Sequence, residues 1–233
     1  RELIAAAVAL AGCRWYSAHP PAGRGASGGA SGGASGGASG GASELPEPGD
    51  PLARYYWVRR IADEHPGDVG ILAPLLLNVF SLEPGQATFQ PAGVLHAYLH
   101  GVGAELMANS DNVLRGGMTV KHVDVDELLE VGTFRSTPPV VLEGDRDEAG
   151  GCTVIRYRTP FDEFAFSRLL PGPECRLEGG RAQILFCHEG PVRLEAGDAE
   201  FRLAPGEAVF VDATTGAIEV HGTGELFQAT IPE

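Results

Sequence analysis

Residues 85–96 read GQATFQPAGVLH, and this stretch decides the fold of the region around it. From Gly85 to His96 its pattern is G-x5-P-x-G-x2-H. Pro91 and Gly93 predict a tight turn between two barrel strands, because proline fixes φ and glycine accepts a left-handed backbone. The histidine after such a turn is expected to point into the barrel mouth, where an imidazole serves as a metal ligand. We favour this interpretation over a core histidine that bonds a backbone carbonyl.

The same turn occurs a second time in the chain. Residues 82–89 (LEPGQATF) match residues 203–210 (LAPGEAVF), and each copy predicts a strand, a tight Pro-Gly turn and another strand. The repeat therefore predicts two related β modules. In the second copy the counterparts of Pro91, Gly93 and His96 are Asp212, Thr214 and Ala217. We expect the second module to lack the metal ligand and to be structural or an interaction domain.

Composition excludes several classes of function. The 233 residues carry a formal charge of −14, which argues against nucleic acid and against anionic lipid as partners. The apolar content of 43% argues against a disordered chain and against a membrane protein. The four cysteines form no C-x-x-C pair, so we expect reduced thiols in a cytosolic protein.

The distribution of charged side chains around the motif suggests a site for an anion. Lys121 is the only lysine, and it follows Arg115 and two glycines by a few residues. An Arg and a Lys near a metal suit a small anionic substrate, with phosphate the clearest example. Strand alternation puts His96, Tyr98 and His100 on one face, and Glu105, Met107, Asn109 and Asp111 on one face of the returning strand. If that second face also looks inward, two carboxylates lie near His96; otherwise they are solvated rim residues.

Several of these stretches together carry a resemblance to a known family. The G-x5-P-x-G-x2-H pattern resembles the second signature motif of the cupin jelly roll. HAYL at 96–99, ELMANSDNVLR at 105–115, KHVDV at 121–125 and ELL at 127–129 resemble type I mannose-6-phosphate isomerase (phosphomannose isomerase). The likeness extends upstream through PLLLN at 74–78 and, more weakly, to the C-terminus, covering about residues 51–233.

The resemblance implies a mainly β fold, made of two cupin jelly-roll modules with an α-helical segment on their N-terminal side. It implies a zinc-dependent isomerase that interconverts D-mannose 6-phosphate and D-fructose 6-phosphate through a cis-enediol. His96 matches the last of the family's four zinc ligands and Arg115 its catalytic arginine. Glu105, a candidate for the proton-shuttling base, matches a residue of the active-site lining. So do the two candidate substrate-binding residues, Asp111 and Lys121, the latter as a phosphate anchor or an aid to ring opening.

The chain also departs from the family pattern. Val120 stands where the family usually has proline. The family's other three zinc ligands lie in a Q-x-H-P and an H-K-P-E stretch, and this chain contains neither. We therefore expect an N-terminally truncated chain in which the front half of the catalytic barrel is missing.

The expected domain organisation follows from these points. Residues 1–24, with the Ala-rich and helix-prone run Leu3–Ala11, would be a remnant of a helical domain, since a lipoprotein signal ending at Cys13 lacks a basic start. Residues 25–50 would be a Gly/Ala/Ser-rich linker, and 51–66 a helix that begins after Asp50. Residues 67–137 would form the C-terminal part of the catalytic cupin domain, and 138–233 a cupin-like β domain without metal ligands.

Two alternatives stay open at this point. The first is a non-enzymatic cupin-like module that binds sugars or regulates another protein, and the second is an isomerase acting on another phosphorylated sugar. The expected partner is a small phosphorylated sugar, with no nucleic acid and no membrane. We expect a monomer in the cytoplasm.

Overall fold

The computed structural model describes residues 7–11, 45–47, 50–109 and 113–232. In this part of the chain the fold is mainly β, as predicted, with short helices between the first strands. The α-helices are α1 (Ala53–Glu64), α2 (Ala73–Leu76) and α3 (Val125–Val131), and a 3-10 helix spans Val69–Leu72. No helix in the described residues has the length and apolar composition needed to cross a membrane.

Fourteen strands are assigned in the described residues. They are β1 (Ala7–Ala11), β2 (Ala87–Gln90), β3 (Gly103–Met107), β4 (Val141–Leu142), β5 (Asp145–Ala149), β6 (Cys152–Tyr157), β7 (Ala165–Pro171), β8 (Cys175–Leu177), β9 (Gln183–Glu189), β10 (Val192–Ala196), β11 (Ala199–Leu203), β12 (Ala208–Val211), β13 (Ile218–His221) and β14 (Glu225–Thr230). They form three sheets, with strand orders β3-β1-β2-β4, β11-β10-β13-β8 and β12-β9-β14-β7-β6-β5.

The N-terminal run is a strand where a helix was predicted. Residues 7–11 form β1, which pairs antiparallel with β2 on one side and with β3 on the other. The prediction of a helix is therefore wrong at these residues. Helix propensity is a weak preference even for alanine, and the edges of β2 and β3 offer backbone hydrogen bonds that override it. Most of residues 1–24 and 25–50 lies outside the described residues, so those two boundaries stay predictions.

The four-stranded sheet of β8, β10, β11 and β13 packs against the six-stranded sheet, and their facing side chains form the main core. Strand alternation places every second side chain of each strand in this layer, as the buried positions of β9 and β10 show. The fully buried side chains include Leu169, Leu185, Ile218 and Leu226. This sandwich is the larger part of the second predicted module.

A disulfide joins the two sheets of this sandwich. Cys152 on β6 is bonded to Cys175 on β8, with the Cα atoms 4.8 Å apart. The prediction of reduced thiols is therefore wrong for these two residues, while Cys187 is a buried free thiol and Cys13 lies outside the described residues. Their spacing of 23 residues shows no motif, because the pairing arises from two sheets stacked face to face.

The other face of the six-stranded sheet is covered by the first sheet. An aromatic cluster fills this layer, with Phe166 and Phe227 from the large sheet and Ala87 from β2 among its buried members. The Tyr157 hydroxyl donates a hydrogen bond to the Gly85 carbonyl at 2.7 Å. The first sheet and the C-terminal sandwich therefore share a core and a direct polar contact.

The repeated Pro-Gly turn is confirmed in both copies. Gly85 and Gly206 have φ of 90° and 91°, and in each copy the residue after the glycine donates its N–H to the carbonyl three residues earlier. A strand follows both turns, but a strand precedes only the second, since residues 78–83 are irregular. Residues 96–100, which were predicted to form a strand, are also irregular. The prediction that His96, Tyr98 and His100 share one face of a strand is therefore wrong.

Helix α1 and the loop after it were predicted correctly to within two residues. The Asp50 carboxylate accepts a hydrogen bond from the Leu52 N–H at 2.8 Å and fixes the start of this segment. The helix buries Trp57 and Ile61 and ends at Glu64, directly before His65, Pro66 and Gly67.

Candidate functional site

His96 follows a turn whose backbone is anchored to the end of helix α3. Gly93 has φ of 77°, and its carbonyl accepts a hydrogen bond from the Thr133 N–H at 2.7 Å. The imidazole itself is exposed, and its Nδ1 lies 3.1 Å from the Val94 carbonyl oxygen. Because a carbonyl only accepts, Nδ1 carries the proton and donates, which leaves the Nε2 lone pair free for a metal or a proton.

Tyr98 links this histidine to the predicted carboxylate base. Its ring centroid lies 6.2 Å from that of His96 in an edge-on arrangement, and its hydroxyl donates to Glu105 Oε1 at 3.1 Å. Partial burial, and then the negative charge of Glu105, raise the pKa of the Tyr98 phenol well above its ordinary value. The phenol therefore stays protonated and holds the carboxylate in place across the whole physiological range of pH.

The structure brings His96, Tyr98 and Glu105 into one chain of contacts, which we call the imidazole–carboxylate cluster. Glu105 lies on the exposed side of β3, while Ala104 and Leu106 turn toward the aromatic core. Tyr98 was not singled out as a functional residue from the sequence. Its position two residues after the histidine was the available signal, but a tyrosine there is unremarkable without knowledge of where β3 lies.

The two predicted cations lie on one loop, residues 115–121, which we call the cationic loop. Arg115 is half-buried, and Lys121 is exposed. Within the described parts of the chain, neither side chain has an ion-pair partner. Asp111, the second predicted substrate-binding residue, lies outside the described residues.

The cationic loop contacts the turn that carries His96. The backbone at Gly116 comes so near Leu95 that an added Cβ would lie 3.2 Å from Leu95 Cδ2. A side chain at this position would require Leu95 to shift by a few tenths of an ångström. The loop therefore lies directly against the residue that precedes His96.

A metal centre at His96 is not completed by the described residues. Among the described residues, one group of three His, Cys, Asp or Glu side chains brings its ligand atoms close together. This group is Glu195, Glu219 and His221, and it does not include His96. Zinc takes three or four protein ligands, and His96 supplies only one of them. The other three ligands of the family pattern were expected in stretches that this chain does not contain.

The group of Glu195, Glu219 and His221 lies on the C-terminal module, which was predicted to have no metal ligands. His221 Nε2 is 3.5 Å from Glu195 Oε2 and 3.8 Å from Glu219 Oε2. Glu195 is also paired with Arg193, which lies opposite His221 on the next strand. This cation weakens the case for a metal, because it already balances one of the two carboxylates.

At the second copy of the turn, an Asx turn replaces the histidine motif. The Asp212 carboxylate accepts hydrogen bonds from the Thr214 N–H and hydroxyl, both at 2.7 Å. These bonds lower the pKa of Asp212. The Asp212 carboxylate therefore shapes this turn. The structural role of the module stays a prediction.

Comparison with known proteins identifies the family. The family model "Mannose-6-phosphate isomerase, cupin domain" matches residues 154–231. The mannose-6-phosphate isomerase of Escherichia coli (strain K12) is 41% identical over 170 residues, which are 72% of this chain and 43% of that protein. A probable mannose-6-phosphate isomerase of Caenorhabditis elegans is 35% identical over 158 residues, which are 66% of this chain and 37% of that protein.

Solved structures agree with the sequence matches. A mutant of phosphomannose isomerase from Salmonella typhimurium superposes with a TM-score of 0.66 and 35% identity, covering 79% of this chain and 47% of that one. A mannose 6-phosphate isomerase bound with zinc and yttrium gives a TM-score of 0.65 at 35% identity, covering 79% and 46%. This chain spans less than half the length of these relatives. The chain belongs to the mannose-6-phosphate isomerase family of the cupin superfamily, as its sequence motifs predicted.

Proposed function

We propose that this chain carries part of the active site of an isomerase that interconverts D-mannose 6-phosphate and D-fructose 6-phosphate. The observation that carries this proposal is the contact of the cationic loop with Leu95, the residue before His96. The imidazole–carboxylate cluster offers a carboxylate that can move a proton, and the loop offers an arginine and a lysine for a phosphate and for developing negative charge. The identity of the proposed sugar substrate is taken from the names of the similar proteins, which are mannose-6-phosphate isomerases.

Each side chain has a defined part in this proposal. Glu105, oriented by Tyr98, transfers the proton between C2 and C1 of the open-chain sugar through a cis-enediol. Arg115 donates hydrogen bonds to the oxygen on which negative charge develops. Lys121 binds the phosphate as a compact point charge or assists ring opening, and Asp111 binds the sugar.

Zinc is the proposed cofactor, with the free Nε2 of His96 as one ligand. When bound, zinc supplies Lewis acidity toward the oxygens on C1 and C2 of the sugar. The described residues do not complete its coordination. The remaining three ligands and a cytoplasmic location stay predictions.

The incomplete metal site favours one second candidate for this chain as it stands, a cupin-like module that binds a phosphorylated sugar without converting it. Zinc content separates the two. A weak zinc complex that His96→Ala abolishes would fit a lone histidine donor. Stoichiometric zinc would instead require ligands beyond those described.

The function is tested by measuring isomerisation of mannose 6-phosphate with the purified chain. We expect Arg115→Ala to lower kcat about 100-fold or more, because it removes a donor to the developing charge. Arg176→Ala, an exposed arginine on β8 far along the chain, is the matched control and should leave kcat unchanged. An active chain in which Arg115→Ala keeps nearly full kcat would overturn the assignment.

Substrate binding can be measured separately, because Lys121 is the only lysine. An amine-acylating reagent modifies this side chain and the terminal amine only, and mass spectrometry distinguishes the two. We expect saturating mannose 6-phosphate to slow acylation of Lys121 and to leave the terminal amine unaffected. Protection without isomerisation supports the binding module, and absence of both protection and turnover contradicts either function.

A further inference from the structure

We propose that Asp68 is the positioning residue that holds the cationic loop in its working conformation. Asp68 lies between α1 and the 3-10 helix, 47 residues before Arg115 in the sequence (115 − 68). The proposal rests on the proposed function, since it assigns to Asp68 the placement of the two cations that bind the sugar phosphate. Nothing in the sequence pattern pointed to this residue.

The carboxylate of Asp68 uses its two oxygens for two different segments of the chain. Oδ1 accepts a hydrogen bond from the Gly70 N–H at 2.7 Å and so caps the 3-10 helix. Oδ2 accepts a hydrogen bond from the Met118 N–H at 2.8 Å. One half-buried side chain therefore fixes the start of a helix and the middle of the cationic loop together.

The backbones at this joint approach each other more closely than side chains would allow. A Cβ at Gly117 would lie 2.9 Å from Asp68 Oδ1, and a Cβ at Gly70 would lie 2.8 Å from Met118 Cγ. Both positions need glycine because any larger residue would separate the two segments. Gly70 and Gly117 therefore allow the close approach that the hydrogen bond between the Met118 N–H and Asp68 requires.

Met118 itself adopts a conformation that needs support. Its φ is 53°, the left-handed region that a residue with a Cβ enters at a cost of about 1–2 kcal/mol. The hydrogen bond from its N–H to Asp68 helps to offset that cost. Without the bond, we expect the loop to relax toward ordinary backbone angles.

The consequence reaches both cations, because Met118 is the midpoint between Arg115 and Lys121. Arg115 precedes it by three residues and Lys121 follows it by three. A shift at Met118 changes the separation and direction of the guanidinium and the ammonium. Misplacement of a positioned group by about 1 Å can cost on the order of 100-fold in rate.

One substitution separates this role from simple helix capping. Asparagine caps helices as well as aspartate, and its carbonyl oxygen can keep the bond to the Gly70 N–H. Its amide nitrogen cannot accept a hydrogen bond, so Asp68→Asn loses the bond from the Met118 N–H. Asp63→Asn, at an exposed position on α1, is the matched control.

The first arm of the test measures amide hydrogen exchange in the full chain. We expect Asp68→Asn to speed exchange of the Met118 amide about tenfold or more, with little change in the thermal unfolding midpoint. Asp63→Asn should leave both unchanged. Unaltered exchange at Met118 in Asp68→Asn would overturn the proposal, whatever the enzymatic activity.

The second arm is a mutant cycle on kcat/KM for mannose 6-phosphate. If Asp68 acts through the two cations of the loop, Asp68→Asn lowers kcat/KM about tenfold or more in the wild-type background but less than about threefold when Arg115→Ala and Lys121→Ala are already present together. Equal losses in both backgrounds would show a role independent of the loop and overturn the proposal. A wild-type chain without isomerase activity instead contradicts the proposed function, and the same cycle is then measured as affinity for fructose 6-phosphate.

Discussion

At the scale of single residues, the candidate site depends on hydrogen bonds that form only in the folded chain. His96 and Glu105 are named by their motifs, and their roles in the reaction stay predictions. Tyr98 and Asp68 could not be singled out from the sequence, because each is linked to the candidate site by a partner whose position depends on the folded chain. The Tyr98 hydroxyl donates to Glu105 of β3, seven residues later, and Asp68 accepts from the Met118 N–H across 50 residues.

The raised pKa of Tyr98 predicts that the free energy of unfolding depends on pH. The pKa of its phenol is raised in the folded protein, so folded and unfolded chains are both protonated below the ordinary tyrosine pKa of about 10. Above that pH the unfolded chain releases the proton first, and stability falls as pH rises. Tyr98→Phe lacks this proton. We expect it to be less stable than wild type at pH 7, by about 0.5–1 kcal/mol for the lost hydrogen bond, and to approach wild type above pH ~10.

Chemical unfolding at a series of pH values between 7 and 11.5 measures this convergence. Tyr55→Phe, whose ring is exposed on α1, is the control for the loss of an ordinary hydroxyl. Parallel stability curves for wild type and Tyr98→Phe up to the highest pH would contradict the claim that burial and Glu105 raise the pKa of Tyr98.

At the scale of elements, local turns were predictable and strands that depend on partners were not. The two Pro-Gly turns are encoded by a few adjacent residues, and both copies adopt the same backbone. Residues 7–11 became a strand because β2 and β3 offer hydrogen bonds on both sides. Residues 96–100 alternate like a strand and stay irregular, which keeps His96 exposed rather than buried in a sheet.

The turn geometry gives a prediction for two glycines that differ only in their backbone. Gly206 has φ of 91° and Gly216 has no positive φ, and an added Cβ would meet nothing within 4 Å at either position. Gly206→Ala should therefore destabilise the protein by about 1–2 kcal/mol through backbone strain alone. Gly216→Ala, the matched control, should change stability by less than about 0.5 kcal/mol. Urea unfolding of the two variants measures the difference, and equal stabilities would show that the turn relaxes around the new side chain.

At the scale of the whole molecule, the two predicted β modules share one core. The sequence repeat predicted two modules, but it carried no information on how they pack. The aromatic cluster draws on both, since Ala87 of β2 is buried in it together with Phe166 and Phe227 of the C-terminal sandwich. The Cys152–Cys175 disulfide likewise follows from sheet stacking, which no spacing along the chain reveals.

A shared core predicts that the described parts of the protein unfold together. Phe166 is 6% exposed, and its ring lies 5.7 Å from Phe227, so Phe166→Ala should cost about 3–4 kcal/mol. Phe201 on β11 is 50% exposed, and Phe201→Ala should cost about 1 kcal/mol or less. In a Trp15→Phe background, which leaves Trp57 as the fluorescent tryptophan, urea unfolding followed by near-UV circular dichroism and by tryptophan fluorescence should give one coincident transition, shifted to lower urea in Phe166→Ala. Because Trp57 lies in α1 and the aromatic cluster lies between the sheets, two separate transitions would show that the helical segment does not depend on this core.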